Sequence, residues 1–254
     1  MHPTIDAPIY ELMRDNTATA FYTTRGKISS PQSPYDGFNV CGYTGDSSVH
    51  ITECRAALSA FTGIEPDRII MPRQTHSINV ASITAKNLHE VSLEHTDAIV
   101  TDIRGLVIGV NTADCVPAIF SDSQAGIIGI AHAGWRGALN GIIENTLHTM
   151  IRQGARPENI KAAMGPSICQ ACFEVGTEVA EMFDDGCVDR ITWEKPHVSL
   201  HGHIAKTIIS QGVPESNIQK FDNSLCTHCH TDRFFSARTL GIGSGRVFTF
   251  IIMQ

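Results

Sequence analysis

The chain has 254 residues, 42% hydrophobic and 18% charged, a composition that supplies a substantial core and excludes a disordered chain. Its 26 acidic residues outnumber 19 basic ones, giving a formal charge of −7 with no basic tract, which argues against nucleic acid as a partner. The start, Met1 to Pro8, lacks the basic and apolar regions of a secretion signal, and no run reaches the roughly 18 apolar residues that span a bilayer. A cytoplasmic protein with no membrane partner is expected, and its eight cysteines are then thiols or metal ligands rather than a disulfide framework.

In chain order, residues 24–46 are rich in Gly, Pro, Ser and Asp and read as a long shaped loop. Val49 to Phe61 reads as a helix, followed by strand-like pieces near 68–71, 78–83, 97–101, 106–110, 116–120 and 126–131. A helix is predicted over about 138–152, because Leu139, Ile142, Ile143, Leu147, Met150 and Ile151 repeat at the spacing of one buried face. Beyond it, Ile160–Met164 reads as a strand, Val175–Phe183 and Ser199–Ser210 as helices, and Asn217–Phe221 and Val247–Met253 as strands. No repeat or linker interrupts this order, so a single α/β unit with mixed sheets is expected.

Chemistry concentrates where strands end. The run Gly129 to Gly137 takes an apolar strand into His132, Gly134, Arg136 and Gly137 just before the predicted helix. Such turns place side chains at a sheet edge and let a ligand approach the backbone. His132 suits a metal or proton transfer, and Arg136 suits a two-pronged contact to phosphate or carboxylate. Cys115 follows the strand-like 106–110 within Asn111-Thr-Ala-Asp-Cys-Val-Pro117, and His76 closes Met71-Pro-Arg-Gln-Thr-His76. Imidazole, thiolate and imidazole form a sensible three-ligand zinc set with an open fourth position. The gaps of 39 residues (76 to 115) and 17 residues (115 to 132) match no local metal motif, and the same residues also suit a buried thiol and two hydrogen-bonded core histidines.

The sequence resembles the laccase-domain, or multicopper polyphenol oxidase, family almost end to end. The resemblance rests on Thr24-Arg-Gly26, Tyr35-Asp-Gly-Phe-Asn39 and Gly45-Asp46, then on Gln74-Thr-His76 and Asp97-Ala-Ile-Val-Thr-Asp102. It continues through Thr112-Ala-Asp-Cys-Val-Pro117, His132-Ala-Gly-Trp-Arg-Gly137, Gly165-Pro-Ser-Ile168, Glu174-Val-Gly176, Phe234-Phe-Ser-Ala-Arg238 and Gly245-Arg246. Ser77 stands where many members carry glycine. The resemblance implies a single domain over 1–254 folded as a layered α/β/β/α sandwich, α/β (mixed α+β) in class, with a zinc held by His76, Cys115 and His132. It also implies phosphorolysis of adenosine, inosine, guanosine or methylthioadenosine, with adenosine deamination beside it, so that nucleoside and phosphate are the expected partners. A further role proposed for the family is the editing of peptidoglycan precursors.

A water whose pKa a zinc lowers to about 7 is the nucleophile that deamination at C6 of adenine needs. Phosphorolysis needs a positioned phosphate and compensation of charge on the sugar, tasks that fit Arg136 and Asn39. Asp114, beside Cys115, suits an acid/base role, the orientation of a ligand, or a simple turn. In a rival reading Cys115 is a nucleophile and His132 its base, giving an amidase. Copper is an alternative to zinc; His201-Gly-His203 and His228-Cys-His230 imitate copper-oxidase pairs, but His201 and His203 fall on a predicted helix, where residues two apart diverge. Finally, Cys169-x-x-Cys172 and Cys226-x-x-Cys229 raise a metal-binding or redox module, against which stands their separation of 54 residues (172 to 226).

Overall fold

A computed structural model describes residues 6–88 and 90–254; Met1–Ile5, on which most of the N-terminal signal reading falls, lie outside the described residues. The elements are β1 (Ile9–Arg14), β2 (Ala18–Thr23), α1 (Ser48–Thr62), β3 (Ile69–Ile70), β4 (Val80–Ile83), β5 (Ala98–Thr101), β6 (Val107–Thr112), β7 (Val116–Asp122) and β8 (Ile127–Ala133). There follow α2 (Trp135–Asn140), α3 (Ile142–Gln153), β9 (Lys161–Met164), α4 (Thr177–Ala180), β10 (Val188–Asp189), β11 (His197–Val198), α5 (Leu200–Ser210), α6 (Ala237–Leu240) and β12 (Val247–Met253). No helix among the described residues is long and apolar enough to cross a membrane.

Two mixed five-stranded sheets are stacked, one in the order β1-β2-β12-β6-β3 and the other β4-β5-β8-β7-β9. Strand side chains alternate between faces, so a strand buried on both sides must be apolar on both. β12 shows this: Ile251 and Met253, with Ile108 of the same sheet, pack against Ile119, Ile128 and Ile130 of the other, while Phe248, Phe250 and Ile252 pack under α1 with Cys54, Ala57 and Leu58. The far face of the second sheet, through Val100, Ala118, Phe120 and Ala131, is covered by α3 and α5 through Ile143, Leu147, Met150, Ile204 and Ile208. The layers are therefore α/β/β/α, as the resemblance implied.

Several elements differ from the sequence reading. The predicted helix over 138–152 starts earlier and breaks at Gly141, whose φ of 103° admits few other residues and splits it into α2 and α3; Ile151, placed on its buried face, is exposed. Asn217–Phe221 is not a strand. Only Ile218 bridges to Ala162, because the Asn217 amide donates to the carbonyls of Glu158 and Ile160 and turns the chain where a ladder would begin. Of Val175–Phe183 a single turn, Thr177–Ala180, is α-helical, since Val175 is tied by its N–H to Pro196 and Phe183 reaches back only three residues to Ala180. The β1–β2 hairpin went unread; its turn forms where Asp15 Oδ1 accepts the N–H groups of Thr17 and Ala18, both at 2.8 Å. The 24–46 loop wraps a buried Arg25, whose guanidinium donates to the carbonyls of Pro31, Ser33, Asp36 and Thr231.

Candidate metal centre

Strands β6 and β8 end, and β7 begins, at one edge of the stacked sheets, and there His76, Cys115 and His132 converge. Their donor atoms lie within 4.8 Å of one another. Cys115 Sγ stands 3.6 Å from His76 Nε2, and the two imidazoles meet edge to face with centroids 4.8 Å apart. His132 is buried, Cys115 half-buried and His76 exposed. This donor set suits a divalent ion, and its exposed side leaves a position open for a further ligand, as a catalytic metal requires.

Asp97, which the sequence reading quoted only as part of a motif, holds two of the three. Its Oδ1 accepts His132 Nδ1–H at 2.7 Å, which fixes the ring and presents Nε2 to the cluster. The same carboxylate accepts the consecutive backbone N–H groups of Thr75, His76 and Ser77 at 3.1, 3.0 and 2.7 Å, and the Ser77 hydroxyl at 2.7 Å. That concave cradle sustains His76 in the left-handed region at φ 61°, a conformation disfavoured for a side chain with Cβ. Burial would raise the Asp97 carboxyl, but the bonds from His132 and Ser77 outweigh it and hold it at about 2. Burial likewise opposes ionisation of Cys115, yet the charge of His132 and hydrogen bonds from both histidines bring the thiol below its ordinary value. His132 is raised in return against its own burial, chiefly by Cys115 and Asp97. An acid set directly before the apolar run Ala98–Val100 was the available sequence signal for Asp97: a carboxylate there is buried and must be satisfied.

Gly134 is required by close approach. A Cβ built on it would lie 2.7 Å from His76 Cδ2 and 3.0 Å from Cys115 Sγ. The cluster lies on a cavity of about 440 Å³ lined also by Tyr43, Gln74, Asn111, Asp114, Trp135, Phe173, Arg238 and Arg246. Gln74 clamps its loop onto the end of β6, donating to the Asn111 carbonyl and accepting the Asn111 N–H, both at 2.8 Å.

The other expected catalytic residues sit differently. Arg136 is exposed, its guanidinium 4.1 Å above the Trp135 ring, and it does not line the cavity. A turn at a sheet edge fixes where a residue is but not which way it faces, and Trp135 draws this one outward. The arginines that do line the cavity are Arg238 and Arg246, from a segment distant in sequence, whose guanidiniums also donate to the carbonyls of Glu174 and of Ile242 and Gly245. Asn39 is fully buried within its loop: its amide donates to Thr44 and Asp46, and its oxygen accepts from Cys41 and Arg246 backbone N–H groups. It shapes the loop and does not line the cavity. Asp114 does line it, with φ 81°; its carboxylate accepts the Thr227 hydroxyl and the Arg238 N–H, both at 2.7 Å, joining the Cys115 turn to the opposite wall.

Fold and site together place the chain in a class of metal-binding enzymes: it belongs to the multi-copper polyphenol oxidoreductase laccase family, matching it over residues 18–254. Among its relatives is adenosine deaminase RL5 of an unknown prokaryotic organism, 44% identical over 91% of this chain and 92% of the relative. Another is the purine nucleoside phosphorylase of Bacteroides thetaiotaomicron, 33% identical over 96% of this chain and 95% of the relative. Among solved structures, the Bacillus licheniformis hypothetical protein YfiH superposes with a TM-score of 0.83 at 27% identity, covering 93% of each chain. YlmD from Geobacillus stearothermophilus does so with a TM-score of 0.83 at 26% identity, covering 94% of this chain and 93% of its own. Despite the family's name, the histidine pairs do not gather here: His201 is buried, stacked on Phe221 and bonded to Ser167, and His228 bonds Thr239.

Proposed function

We propose that the chain is a cytoplasmic, zinc-dependent purine nucleoside phosphorylase, cleaving adenosine, inosine, guanosine or methylthioadenosine with phosphate and deaminating adenosine as well. The observation that carries this reading is the gathering of His76, Cys115 and His132 beside a cavity lined also by Arg238, Arg246 and the aromatic Tyr43, Trp135 and Phe173. The names of the two relatives, adenosine deaminase and purine nucleoside phosphorylase, support it. A zinc ion bound there would act as a Lewis acid and lower the pKa of water to about 7. Asp97 keeps the Nδ1 proton on His132, so that Nε2 offers a lone pair, and its grip on residues 75–77 sets the reach of His76. The aromatic side chains give a purine an apolar surface from which water is excluded. Arg238 and Arg246 take over the anion-binding task expected of Arg136, positioning phosphate below the sugar and offsetting its charge. With both carboxylate oxygens engaged, Asp114 is a positioning residue that sets Cys115 against the Arg238 segment.

Inosine and phosphate should yield hypoxanthine and ribose 1-phosphate, and adenosine should also yield inosine, as read by mass spectrometry of the products. Arg238→Ala should raise the KM for phosphate on the order of a hundredfold, whereas Arg136→Ala should change it less than about twofold. The reverse ranking would return the anion site to Arg136. One observation favours a second reading: Cys115 lies within 4.8 Å of His132, whose ring Asp97 orients, a grouping that would suit the nucleophile, base and orienting carboxylate of a thiol amidase, the kind of enzyme peptidoglycan editing would use. That enzyme would keep its activity after chelation, hydrolyse the amide bond of a serine-bearing precursor to acid and amine, and leave nucleosides intact.

A further inference from the structure

The separation of the two Cys-x-x-Cys pairs in sequence disappears in the fold. Ser167 forms an isolated parallel bridge with Cys226, its N–H donating to the Leu225 carbonyl while its own carbonyl accepts from Thr227. This stitch sets the turn Cys169–Cys172 against the turn Cys226–Cys229, and all four sulfur atoms lie within 4.8 Å of one another. Cys172 and Cys229 approach to 3.3 Å. Sulfurs at the corners of a tetrahedron around an ion, each bonded at about 2.3 Å, are about 3.8 Å apart, so the cage fits a single ion with small adjustments. Two backbone N–H groups, of Cys169 at 3.3 Å and Cys229 at 3.5 Å, point at Cys226 Sγ. Such donors favour a thiolate over a thiol. Four thiols are weak hydrogen-bonding partners for one another, so hydrogen bonding alone is a poor account of their convergence.

We propose that Cys169, Cys172, Cys226 and Cys229 form a second metal site, holding one structural zinc ion as a closed tetrathiolate. Four sulfur donors select a soft ion, and spacing this tight suits a mononuclear centre. Binding replaces the thiol protons, which leave to solvent. The site stands apart from the His76, Cys115 and His132 cluster and does not rest on it. Its effect reaches the cavity through the wall it clamps: the first turn lies between Ile168 and Phe173, both lining residues, and the second carries Thr227, which holds Asp114.

Zinc content and zinc K-edge absorption on the purified whole chain carrying Cys115→Ala isolate this site from the other. About one zinc per folded chain should remain, with four sulfur neighbours at about 2.3 Å and no nitrogen. Adding Cys172→Ser, or separately the exposed Cys229→Ser, should remove that zinc and lower Tm by several degrees. Folded Cys115→Ala protein without zinc, a nitrogen in its coordination shell, or a disulfide among these four cysteines in freshly purified protein would overturn the proposal. Should the serine variants fail to fold, the absorption spectrum of the Cys115→Ala protein decides alone.

Discussion

Asp97 is where a single side chain does most for the centre, because one carboxylate orients His132 by its ring and His76 by its backbone. Asp97→Asn keeps the volume but can no longer accept from every donor around it, so zinc affinity should fall about 10- to 100-fold, read by competition with a chromophoric chelator. Its depressed pKa also makes a statement about pH. A group held at about 2 when folded, against about 4 unfolded, contributes stability that is fully present above the higher value and is lost as pH falls through the lower. The unfolding free energy from urea titrations should therefore decline below pH 5 for the wild type, by on the order of 1 kcal/mol at pH 3 and of 2–3 kcal/mol once complete below about pH 2, and decline less for Asp97→Asn. Gly134 offers a second test at the same scale. Its backbone, φ −72° and ψ 165°, is open to any residue, so Gly134→Ala acts only through the methyl group thrust at His76 and Cys115. The fold should survive by circular dichroism while kcat/KM drops on the order of a hundredfold; an active alanine variant would mean that the cluster is looser than its geometry implies.

The elements most legible in the sequence are those whose pattern and packing agree. The predicted helix Val49–Phe61 is α1 to within a residue at each end, and the strand 247–253 is β12. Short apolar pieces between 97 and 131 became the three central strands of the second sheet and one of the first. What misled was local: Gly141 hides a break inside one apolar periodicity, and Asn217 uses its side chain where a strand would use its backbone. The apolar face of α3 nevertheless carries real weight, and it can be graded. Leu147 is fully buried against the second sheet and Ile151 is exposed, so Leu147→Ala should cost about 2–5 kcal/mol and Ile151→Ala about 1 kcal/mol or less in chemical denaturation. Equal losses would put Ile151 in the core, as the periodicity alone suggests.

Across the whole molecule, the layered sandwich brings together residues that no window of sequence could connect. His76, Cys115 and His132 were readable because each ends an apolar strand or its approach with a ligand-type residue, and the family resemblance named them as a set. Arg238 and Arg246 were not readable as site residues, since they reach the cavity from the far side, from a short helix and the turn before β12. The cysteine pairs were discounted on spacing, yet the bridge between Ser167 and Cys226 closes that distance. On the proposed function, a metal at the three-residue cluster carries out the chemistry on nucleosides. The most direct measurement strips the protein with chelator and returns zinc in steps while hypoxanthine release from inosine and phosphate is followed, in the wild type and in Cys115→Ala. Release should be absent after stripping, rise in proportion to zinc returned, and stay absent in Cys115→Ala; release before zinc is added, or full release by the alanine variant, would contradict the account.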